Sequence, residues 1–454
     1  MAKYTFFTQA ARDGSNVAAS SEELVNCYPE VAPGDGRTKI AVRSVLGEQP
    51  FSITEAAPIR AASFINGAHY VVSGSMLYKV AASGMATALG AVIGGPDVSI
   101  RGNGPLVTVA ANGAYYVWDG STLSQPTGGR IVNAGSVEFT DYDTIITEAN
   151  GRVFEWTATA DPLTRNALHF ASAEAREGNI LRAIADRAQL FLFCEQSIEI
   201  WRNTGASGAQ RSSRYQRLSV LDQGLKSYQL IVRGDIGVFF IGNDNIAYIT
   251  SGSGLMPVST PAVNTDLQDA TPISCGYYED RGHKFCVITF ADRPAWVYDV
   301  STQAWHRRQS GVVRGGWTAR RIVEAFGGFH TLDDAGNIKK LVRSNADGAT
   351  PMLRIMRGKP VDLDGRKFSV AEFECLASVG ISDLGRDAMV MMRVSWDGGQ
   401  TWGPELSESL GDLGQYATQT RFTALGRGEV FTPEISISDP ADIVFYSDAR
   451  IKIT

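Results

Sequence analysis

The feature that most constrains the fold is a hairpin-like pattern that recurs between residues 60 and 345. Each copy has two runs rich in β-branched and aromatic residues around a short turn of Gly, Asn or Asp, which is typical of a β-hairpin. Six copies are clear and a seventh is weaker. They are HYVVSGSMLYKV (69–80), LVTVAANGAYYVWDG (106–120), YDTIITEANGRVFEWT (142–157), QLFLFCEQSIEIW (189–201), GVFFIGNDNIAYIT (237–250), KFCVITFADRPAWVYD (284–299) and FGGFHTLDDAGNIKKLV (326–342).

The spacing of the copies favours a β-propeller. Their starts lie roughly 35 to 50 residues apart, as expected for blades of about four strands. A single hairpin cannot bury both of its faces, whereas blades stacked around an axis bury each sheet against its neighbours. We therefore predict an irregular propeller of six or seven blades over residues 55–345. A pair of β-sandwiches is the alternative, because spacing alone does not close a ring.

The two ends of the chain differ from the repeats. With 454 residues the chain is too long for one ordinary core. Residues 1–54 include the Pro- and Gly-rich stretch NCYPEVAPGDGRTK, and we predict an extended N-terminal arm and the start of a platform there. Residues 346–454 contain longer strand patterns such as KFSVAEFECLASVG, which predict a C-terminal β-sandwich-like domain. The whole chain is thus predicted to be all-β.

Composition excludes several classes of protein. The net charge of −6 argues against a generally basic nucleic-acid binder. No run approaches about 18 uninterrupted apolar residues, and the start lacks the apolar core of a secretory signal, so we expect no membrane span and no cleaved signal. Five scattered cysteines without a C-x-x-C motif indicate reduced thiols after cytosolic synthesis.

One motif raises the question of catalysis. The stretch SWDGGQTW places Ser395, Asp397, Gly399, Thr401 and Trp402 in a pattern that resembles the Asp box of sialidases and other β-propeller proteins. Asp and Gly are residues of a tight hairpin turn, and Trp402 is predicted to anchor the returning strand. The motif occurs once and lies outside the repeats, so we interpret it as a structural turn. A glycan-binding or glycan-cleaving protein remains the alternative.

Other signatures of chemistry are missing from the sequence. The five histidines never pair at i, i+2 or i, i+4, and there is no G-x-S-x-G and no phosphate-binding Gly-rich loop. We therefore expect no enzyme, no catalytic residue, no metal ligand and no cofactor. The loop RSSRYQR places Arg211, Arg214 and Arg217 around Tyr215, which suits a protein interface or a DNA-facing loop. A solvated surface cluster is the alternative interpretation.

Several segments together resemble one family. The chain is similar to the packaged-DNA stabilisation proteins of short-tailed bacteriophages, also called tail hubs or tail nozzles. The segments that carry the resemblance span about residues 26–320. They are NCYPE (26–30), DPLTRNALHFASAEAREGNI (161–180), QSIEIWRNTG (196–205), DQGLKSYQLI (222–231), FFIGNDNIAYI (239–249), GHKFCVITF (282–290) and PAWVYDVSTQAWHRRQSG (294–311). The chain departs from the family at VLGEQP (45–50), where members usually carry Pro-Gly-Leu.

The resemblance implies a structural protein of the virion tail, synthesised in the host cytoplasm. It implies self-association into a six-fold ring below the head-to-tail adaptor and portal complex, with tail fibres or tailspikes as further partners. Double-stranded DNA would pass through the lumen without sequence-specific binding, and the ring would close the channel after packaging and open it for genome ejection. A cellular propeller that serves as a protein-interaction platform is a further alternative.

Overall fold

The computed structural model describes residues 2–6, 22–31, 40–252, 254–379, 386–411 and 418–454. These residues form strands almost throughout, with one α-helix, α1 (Pro261–Asp269), and one 3-10 helix (Gly208–Ser213). The N-terminal strands are β1 (Ala2–Thr5), β2 (Glu23–Val25), β3 (Cys27–Val31), β4 (Ile40–Ser44) and β5 (Gly47–Ile53).

Seven antiparallel four-stranded blades follow, each numbered from its inner strand outward. Blade 1 comprises β6 (Ile59–Ile65), β7 (Ala68–Ser73), β8 (Met76–Val80) and β9 (Ala86–Ala91), and blade 2 comprises β10 (Val98–Asn103), β11 (Leu106–Ala111), β12 (Ala114–Trp118) and β13 (Leu123–Ser124). Blade 3 comprises β14 (Ala134–Thr140), β15 (Asp143–Glu148), β16 (Val153–Trp156) and β17 (Phe170–Ser172); blade 4 comprises β18 (Ile180–Asp186), β19 (Gln189–Cys194), β20 (Ile198–Asn203) and β21 (Tyr215–Leu221); and blade 5 comprises β22 (Ile231–Gly234), β23 (Gly237–Ile241), β24 (Ala247–Ser251) and β25 (Gly254–Pro257). Blade 6 comprises β26 (Pro272–Asp280), β27 (His283–Phe290), β28 (Ala295–Asp299) and β29 (Ala304–Arg308), and blade 7 comprises β30 (Ala319–Ala325), β31 (Gly328–Asp333), β32 (Asn337–Val342) and β5.

The seven hairpins recognised in the sequence are the second and third strands of the seven blades. These strands lie in the middle of each sheet and pack against neighbouring blades on both faces. Strands β12, β23 and β28 are buried at every position. A strand that is buried on both faces consists of a continuous run of apolar residues, which explains why the recurring hairpins were visible in the sequence.

Seven separate apolar clusters lie between neighbouring blades and close the ring. Val72 and Val109, for example, belong to the cluster between blades 1 and 2. Ile59 of blade 1 packs with Leu332 and Ile338 of blade 7, so the last blade contacts the first. The predicted propeller is therefore confirmed, with seven blades, and a pair of β-sandwiches is excluded for this region.

Strand β5 completes the last blade. It pairs antiparallel with β32, from Gly47 opposite Val342 to Ile53 opposite Asn337. The buried carboxylate of Glu48 accepts hydrogen bonds from Trp317 Nε1 at 3.1 Å, Thr331 Oγ1 at 2.8 Å and Lys339 Nζ at 3.0 Å. The residues just before the first blade therefore join the ring through backbone and side-chain hydrogen bonds.

The short strands β33 (Ala346–Asp347) and β34 (Thr350–Pro351) extend the sheet of blade 7 beyond β5. The other strands build a second domain of two sheets. They are β35 (Arg354–Arg357), β36 (Val361–Asp362), β37 (Phe368–Val379), β38 (Met389–Ser395), β39 (Leu406–Ser409), β40 (Thr418–Thr423), β41 (Arg427–Gly428), β42 (Val430–Ile437), β43 (Ile443–Tyr446) and β44 (Asp448–Ile453). One sheet has the order β1-β44-β37-β43-β4-β3, and the other contains β2-β35-β42-β38-β39. The apolar core between them includes Phe6, Phe373 and Phe431.

Both ends of the chain contribute to this sandwich. Ala2 lies opposite Ile451, Val25 opposite Ile355, and Ala41 opposite Tyr446. In its described residues, the segment predicted as an N-terminal arm thus forms strands that wrap around the C-terminal domain. The sandwich is assembled from residues more than 300 positions apart.

Propeller and sandwich share a continuous sheet. Val25 of β2 bridges Arg307 of β29, so blade 6 continues into the sandwich. A charged network crosses the same junction, where Arg357 contacts Glu23 at 3.2 Å and Glu434 at 2.7 Å. Arg314, in the loop that follows β29, contacts Glu23 at 2.9 Å. The two domains are therefore coupled through backbone pairing and ion pairs.

Candidate functional site

The structure places the predicted arginine loop between blades 3 and 4. Arg211 Nη2 lies 2.8 Å from Asp143 Oδ1, Arg214 Nε bonds the other oxygen of that carboxylate, and the Tyr215 hydroxyl donates to it at 3.1 Å. Arg211 and Arg214 are 9% and 8% exposed, and Asp143 is fully buried. The prediction of an interface or DNA-facing loop is therefore wrong for Arg211 and Arg214, because both guanidiniums serve to neutralise a buried carboxylate.

Arg217 is the member of the loop that reaches the surface. Its side chain is 41% exposed and contacts the buried Glu199 carboxylate at 3.4 Å. Glu199 also accepts hydrogen bonds from Trp201 Nε1 and from the Ala175 backbone. Arg217 is therefore exposed enough to contact a partner, and it is also the cation paired with the buried Glu199 carboxylate.

The Asp box forms the turn that its residues predict. The Ser395 hydroxyl donates to Asp397 at 2.6 Å and accepts from the Gly399 N–H at 2.8 Å. The Asp397 carboxylate also accepts from the Gln400 N–H at 2.9 Å and from the Thr401 hydroxyl at 2.5 Å. These bonds from Ser395 and Thr401 lower the pKa of Asp397. Its carboxylate is engaged in holding the connection between β38 and β39.

The apolar anchor of this hairpin is a different tryptophan from the one predicted. Trp402 lies outside any strand, half-buried beneath the Arg357 and Arg393 guanidiniums at 4.9 and 4.7 Å from its ring centre. Trp396 packs into the core, with its ring centre 5.4 Å from Phe368 and its Nε1 donating to the Leu425 carbonyl at 3.0 Å. The role predicted for Trp402 belongs to Trp396.

A concave site lies in the axial cavity of the propeller, with a volume of about 780 Å³. The inner strands of six blades line it, namely β6, β10, β18, β22, β26 and β30. Register shifts occur near the start of four of them, β6, β18, β26 and β30. A bulge of this kind redirects a side chain relative to regular pleating. Polar side chains can therefore enter the cavity from strands whose other residues are apolar.

Three arginines converge at the end of the cavity where the inner strands begin. Arg321 Nε donates to the Arg60 carbonyl at 3.2 Å, and Arg182 lies over the Tyr228 ring at 5.0 Å. Burial lowers the pKa of Arg182, and burial followed by the charge of Arg182 lowers the pKa of Arg321 to about 10. Asp97 faces all three arginines, yet burial raises the pKa of its carboxyl.

The opposite end of the cavity is acidic. The Tyr277 hydroxyl lies 2.5 Å from both Asp235 Oδ1 and Glu279 Oε1, and Lys284 pairs with Asp235. Burial, followed by these hydrogen bonds, raises the pKa of Tyr277. The bond to Lys284 is the largest cause of the lowered pKa of Asp235. The axial cavity is therefore polarised along the axis of the propeller.

The axial groups were missed by sequence reasoning because they lie on inner strands, whereas the recurring pattern marks the second and third strands. One local signal existed. Arginines stand at the second or third position of three inner strands, at Arg60, Arg182 and Arg321. An arginine at the start of several strands that precede the recurring hairpins would have pointed to this end of the cavity.

Within the described ranges, no group of three or more His, Cys, Asp or Glu side chains is arranged to hold a metal ion. The described helices include none with the length and apolar character required to cross a membrane. The five cysteines are buried and unpaired as disulfides. Burial raises the pKa of each thiol, for Cys27 to about 12, which disfavours the reactive thiolate.

The fold defines the class of protein: an all-β chain in which a seven-bladed propeller is joined to a sandwich. The family model described as Phage_stabilise, "Bacteriophage P22 Gp10, beta-propeller", matches residues 22–344. This match covers more than two thirds of the chain, so the chain belongs to that family of phage structural proteins. The match includes all seven blades and the strands β2 to β5.

Similarity to solved structures is weaker. The computationally designed Ika8 protein is 12% identical, with a TM-score of 0.42, over 71% of this chain and 99% of its own. A chain of the mitotic checkpoint complex is 13% identical, with a TM-score of 0.46, over 69% of this chain and 96% of its own. A search of curated proteins gave no match.

Proposed function

We propose that the chain is a subunit of the phage tail nozzle or hub, a six-fold ring below the portal–adaptor complex. The ring continues the DNA channel, closes it after packaging and opens it for genome ejection. The observation that carries this proposal is the family match over residues 22–344. That match spans the ring-closing strand as well as the blades, so it concerns the assembled propeller and not an isolated repeat.

The architecture supports a mechanical role. The shared sheet at Val25 and Arg307, together with the Glu23, Arg357 and Glu434 network, joins propeller and sandwich into one unit. Such a unit presents different surfaces on its two sides, which is what a head-to-tail ring contact requires. Loops at the lumen would then narrow the channel and retain DNA without any chemical step.

Charge supports passive passage of DNA. The net charge of −6 leaves no excess of basic residues to hold a phosphate backbone. We propose that double-stranded DNA moves through the ring without sequence-specific binding, and that the adaptor, the portal and the tail fibres or tailspikes contact the outer surfaces. The ring belongs to the virion tail, and its subunits are made in the host cytoplasm.

Assembly with the portal–adaptor complex tests the proposal directly. The purified chain should join that complex at six copies per portal, as measured by mass photometry or by sedimentation. The chain alone, without the complex, serves as the reference state. A chain that stays monomeric and never joins the complex contradicts the proposal.

Arg217 provides a matched test of the ring surface. Arg217→Gln removes the exposed cation of the loop, and Arg176→Gln removes another exposed arginine, which pairs with Asp222 at 2.8 Å. If Arg217 lies at a contact, Arg217→Gln lowers the fraction of chain in complexes at a temperature where thermal unfolding shows the variant fully folded, and Arg176→Gln does not; the folding control is needed because Arg217 also pairs with the buried Glu199. Equal behaviour of the two variants would remove Arg217 from the interface while leaving the ring itself in place.

A glycan-binding or glycan-cleaving tail component is the second candidate function. One observation favours it, the pair of carboxylates Asp235 and Glu279 on either side of the Tyr277 hydroxyl in a concave site. The Asp box does not support it, since the Asp397 carboxylate is occupied by its own turn. Hydrolysis of a host glycan by the wild type, lost in Tyr277→Phe, would favour this candidate; inactivity of both would reject the cleaving form.

A further inference from the structure

We propose that the axial cavity contains a binding site for a small oxyanion of the phosphate class, formed by Arg60, Arg182 and Arg321. The site lies at the end of the cavity where the inner strands begin. This inference concerns the interior of a single propeller and goes beyond the proposed role of the ring.

The first argument is the balance of charge. Arg60, Arg182 and Arg321 share Asp97 as a nearby carboxylate. Glu138 acts on Arg182 and Asp334 acts on Arg321, but these two carboxylates are already paired, with Arg101 at 2.7 Å and with Arg320 at 2.8 Å. The cluster is left with a formal excess of two positive charges. Within the described ranges, none of the three guanidiniums lies within 4 Å of a carboxylate. Desolvated cations are costly unless they are paired. The missing negative charge is supplied by a bound anion.

Other arginines in the interior of the propeller are paired with a carboxylate. Arg101 pairs with Glu138 at 2.7 Å, and Arg165 pairs with Glu155 at 2.7 Å. Arg211 and Arg214 share the carboxylate of Asp143. These four arginines each have a carboxylate from another strand within 4 Å. Arg308 of blade 6 is fully buried without such a partner, but its guanidinium is covered by the Trp317 ring at 4.0 Å and donates to the Leu46 carbonyl at 2.6 Å. The axial arginines differ from both cases because they line a cavity that is large enough for an anion.

The second argument is the set of hydrogen bonds that these arginines make. Arg60 is 5% exposed, and its Nη1 donates to the carbonyls of Gly74 at 2.9 Å and Ile93 at 2.8 Å. Its Nε and Nη2 are buried without an acceptor, as is the Nε of Arg182. The carbonyls therefore fix the orientation of Arg60 while leaving donors free. Donors held in place by other bonds are suited to grip an oxyanion.

Two molecules carry the phosphate group that these arginines would bind, a free oxyanion and a DNA backbone, and the size of the cavity distinguishes between them. A volume of about 780 Å³ accommodates a free phosphate with its waters. It does not accommodate a DNA duplex, so a backbone phosphate could reach the arginines only from a strand end or an unpaired segment. We therefore assign the site to a free oxyanion and use DNA as the second arm of the test.

Calorimetry with inorganic phosphate, in a buffer free of other oxyanions and at constant ionic strength, measures the site. Wild type should bind one phosphate per chain, and its melting temperature should rise with phosphate concentration. Arg182→Gln and Arg321→Gln should each weaken binding about tenfold, because each removes a charged donor. Arg176→Gln removes an exposed arginine outside the cavity and should bind phosphate as the wild type does.

Asp97→Asn distinguishes a specific effect on phosphate binding from misfolding, because misfolding would weaken binding and this variant is expected to strengthen it. Because it removes the carboxylate that all three arginines share, phosphate affinity should rise several-fold. A single-stranded oligonucleotide is then added as competitor: no competition supports a free oxyanion, and competition supports a backbone phosphate at the same site. Absence of phosphate binding by the wild type, or binding unchanged in Arg321→Gln and Asp97→Asn, would overturn the proposal.

Discussion

The propeller and the sandwich solve the same packing problem in opposite ways. Blades 1 to 6 are meanders of consecutive strands, and the cores between them join neighbours in sequence; only the closure of blade 7 by β5 and its packing on blade 1 join distant residues. The sandwich joins strands from the two ends of the chain, with Ala2 opposite Ile451 and Val25 opposite Ile355. The propeller is therefore dominated by local contacts and the sandwich by distant ones, which slow folding because long loops must close first.

This difference in construction determines which changes destabilise each region. The propeller contains most of the buried ionisable groups, and all five histidines of the chain lie in it, four of them buried. The sandwich depends on short N-terminal strands that must find the C-terminal sheets. Electrostatic changes should therefore affect the propeller first, and loss of N-terminal packing should affect the sandwich first.

The largest effect is expected from the buried ion cluster between blades 3 and 4. Asp143→Asn should lower the free energy of unfolding of the propeller by about 5 kcal/mol, because two buried arginines lose their counter-charge. Asp222→Asn is the matched control, since Asp222 is 72% exposed and its pair with Arg176 is worth about 1 kcal/mol or less. Urea unfolding measures both; equal effects would contradict the structural role of Asp143.

The next prediction concerns the stability of the propeller at acidic pH. Burial lowers the pKa of His69 and His306 to about 3 and that of His330 to about 4, against about 6.5 in the unfolded chain. Below pH 6.5 the unfolded state binds more protons, so the stability of the propeller falls as pH falls from 6.5 towards 4. Three such groups amount to up to about 4 kcal/mol at pH 5.5.

Hydrogen exchange, corrected for intrinsic rates, distinguishes the two regions under acid. Between pH 7 and pH 5.5, peptides from the blades should lose protection, while peptides from the sandwich, which has no histidine, should keep theirs. His283 does not offset the loss between pH 6.5 and pH 5.5, because its hydrogen bond to Asp299 raises its pKa and the resulting stabilisation is complete below pH 6.5. Earlier loss of protection in the sandwich would contradict this account.

Phe6→Ala should have the converse effect. Phe6 is 1% exposed and its ring centre lies 5.4 Å from that of Phe373 in the sandwich core. Truncation should cost about 3 kcal/mol, confined to the sandwich. Phe64→Ala is the control, because Phe64 is 38% exposed on blade 1. Hydrogen exchange should show loss of protection in the sandwich alone; loss spread evenly over the blades would mean that the two regions unfold as one unit.

The smallest effect is expected at the Asp box. Asp397→Ala removes the acceptor for the Gln400 and Thr401 N–H groups, and should cost about 1 kcal/mol in the sandwich. Thermal unfolding measures the change. A variant that folds with wild-type stability but loses a hydrolytic activity would return the motif to a catalytic role.

The sequence revealed the propeller because the middle strands of each blade are buried on both faces. It could not reveal the sandwich pairing, since nothing in the residues near Ala2 or Val25 specifies a partner more than 300 positions away. The spacing of Arg211 and Arg214 led to the prediction of an interface or DNA-facing loop, because spacing along the chain does not show that Asp143, on another strand, lies between them. In the Asp box, the turn residues were correctly predicted, but the choice between Trp396 and Trp402 depends on which side of the hairpin faces the core.

A six-fold-averaged cryo-electron microscopy map of the phage tail tests the central claim most directly. The account predicts six copies of this chain in a ring below the adaptor, each showing seven blades joined to a sandwich through blade 6. A map in which the ring density cannot hold this propeller, or in which the chain occurs only at the fibre tips, would contradict it.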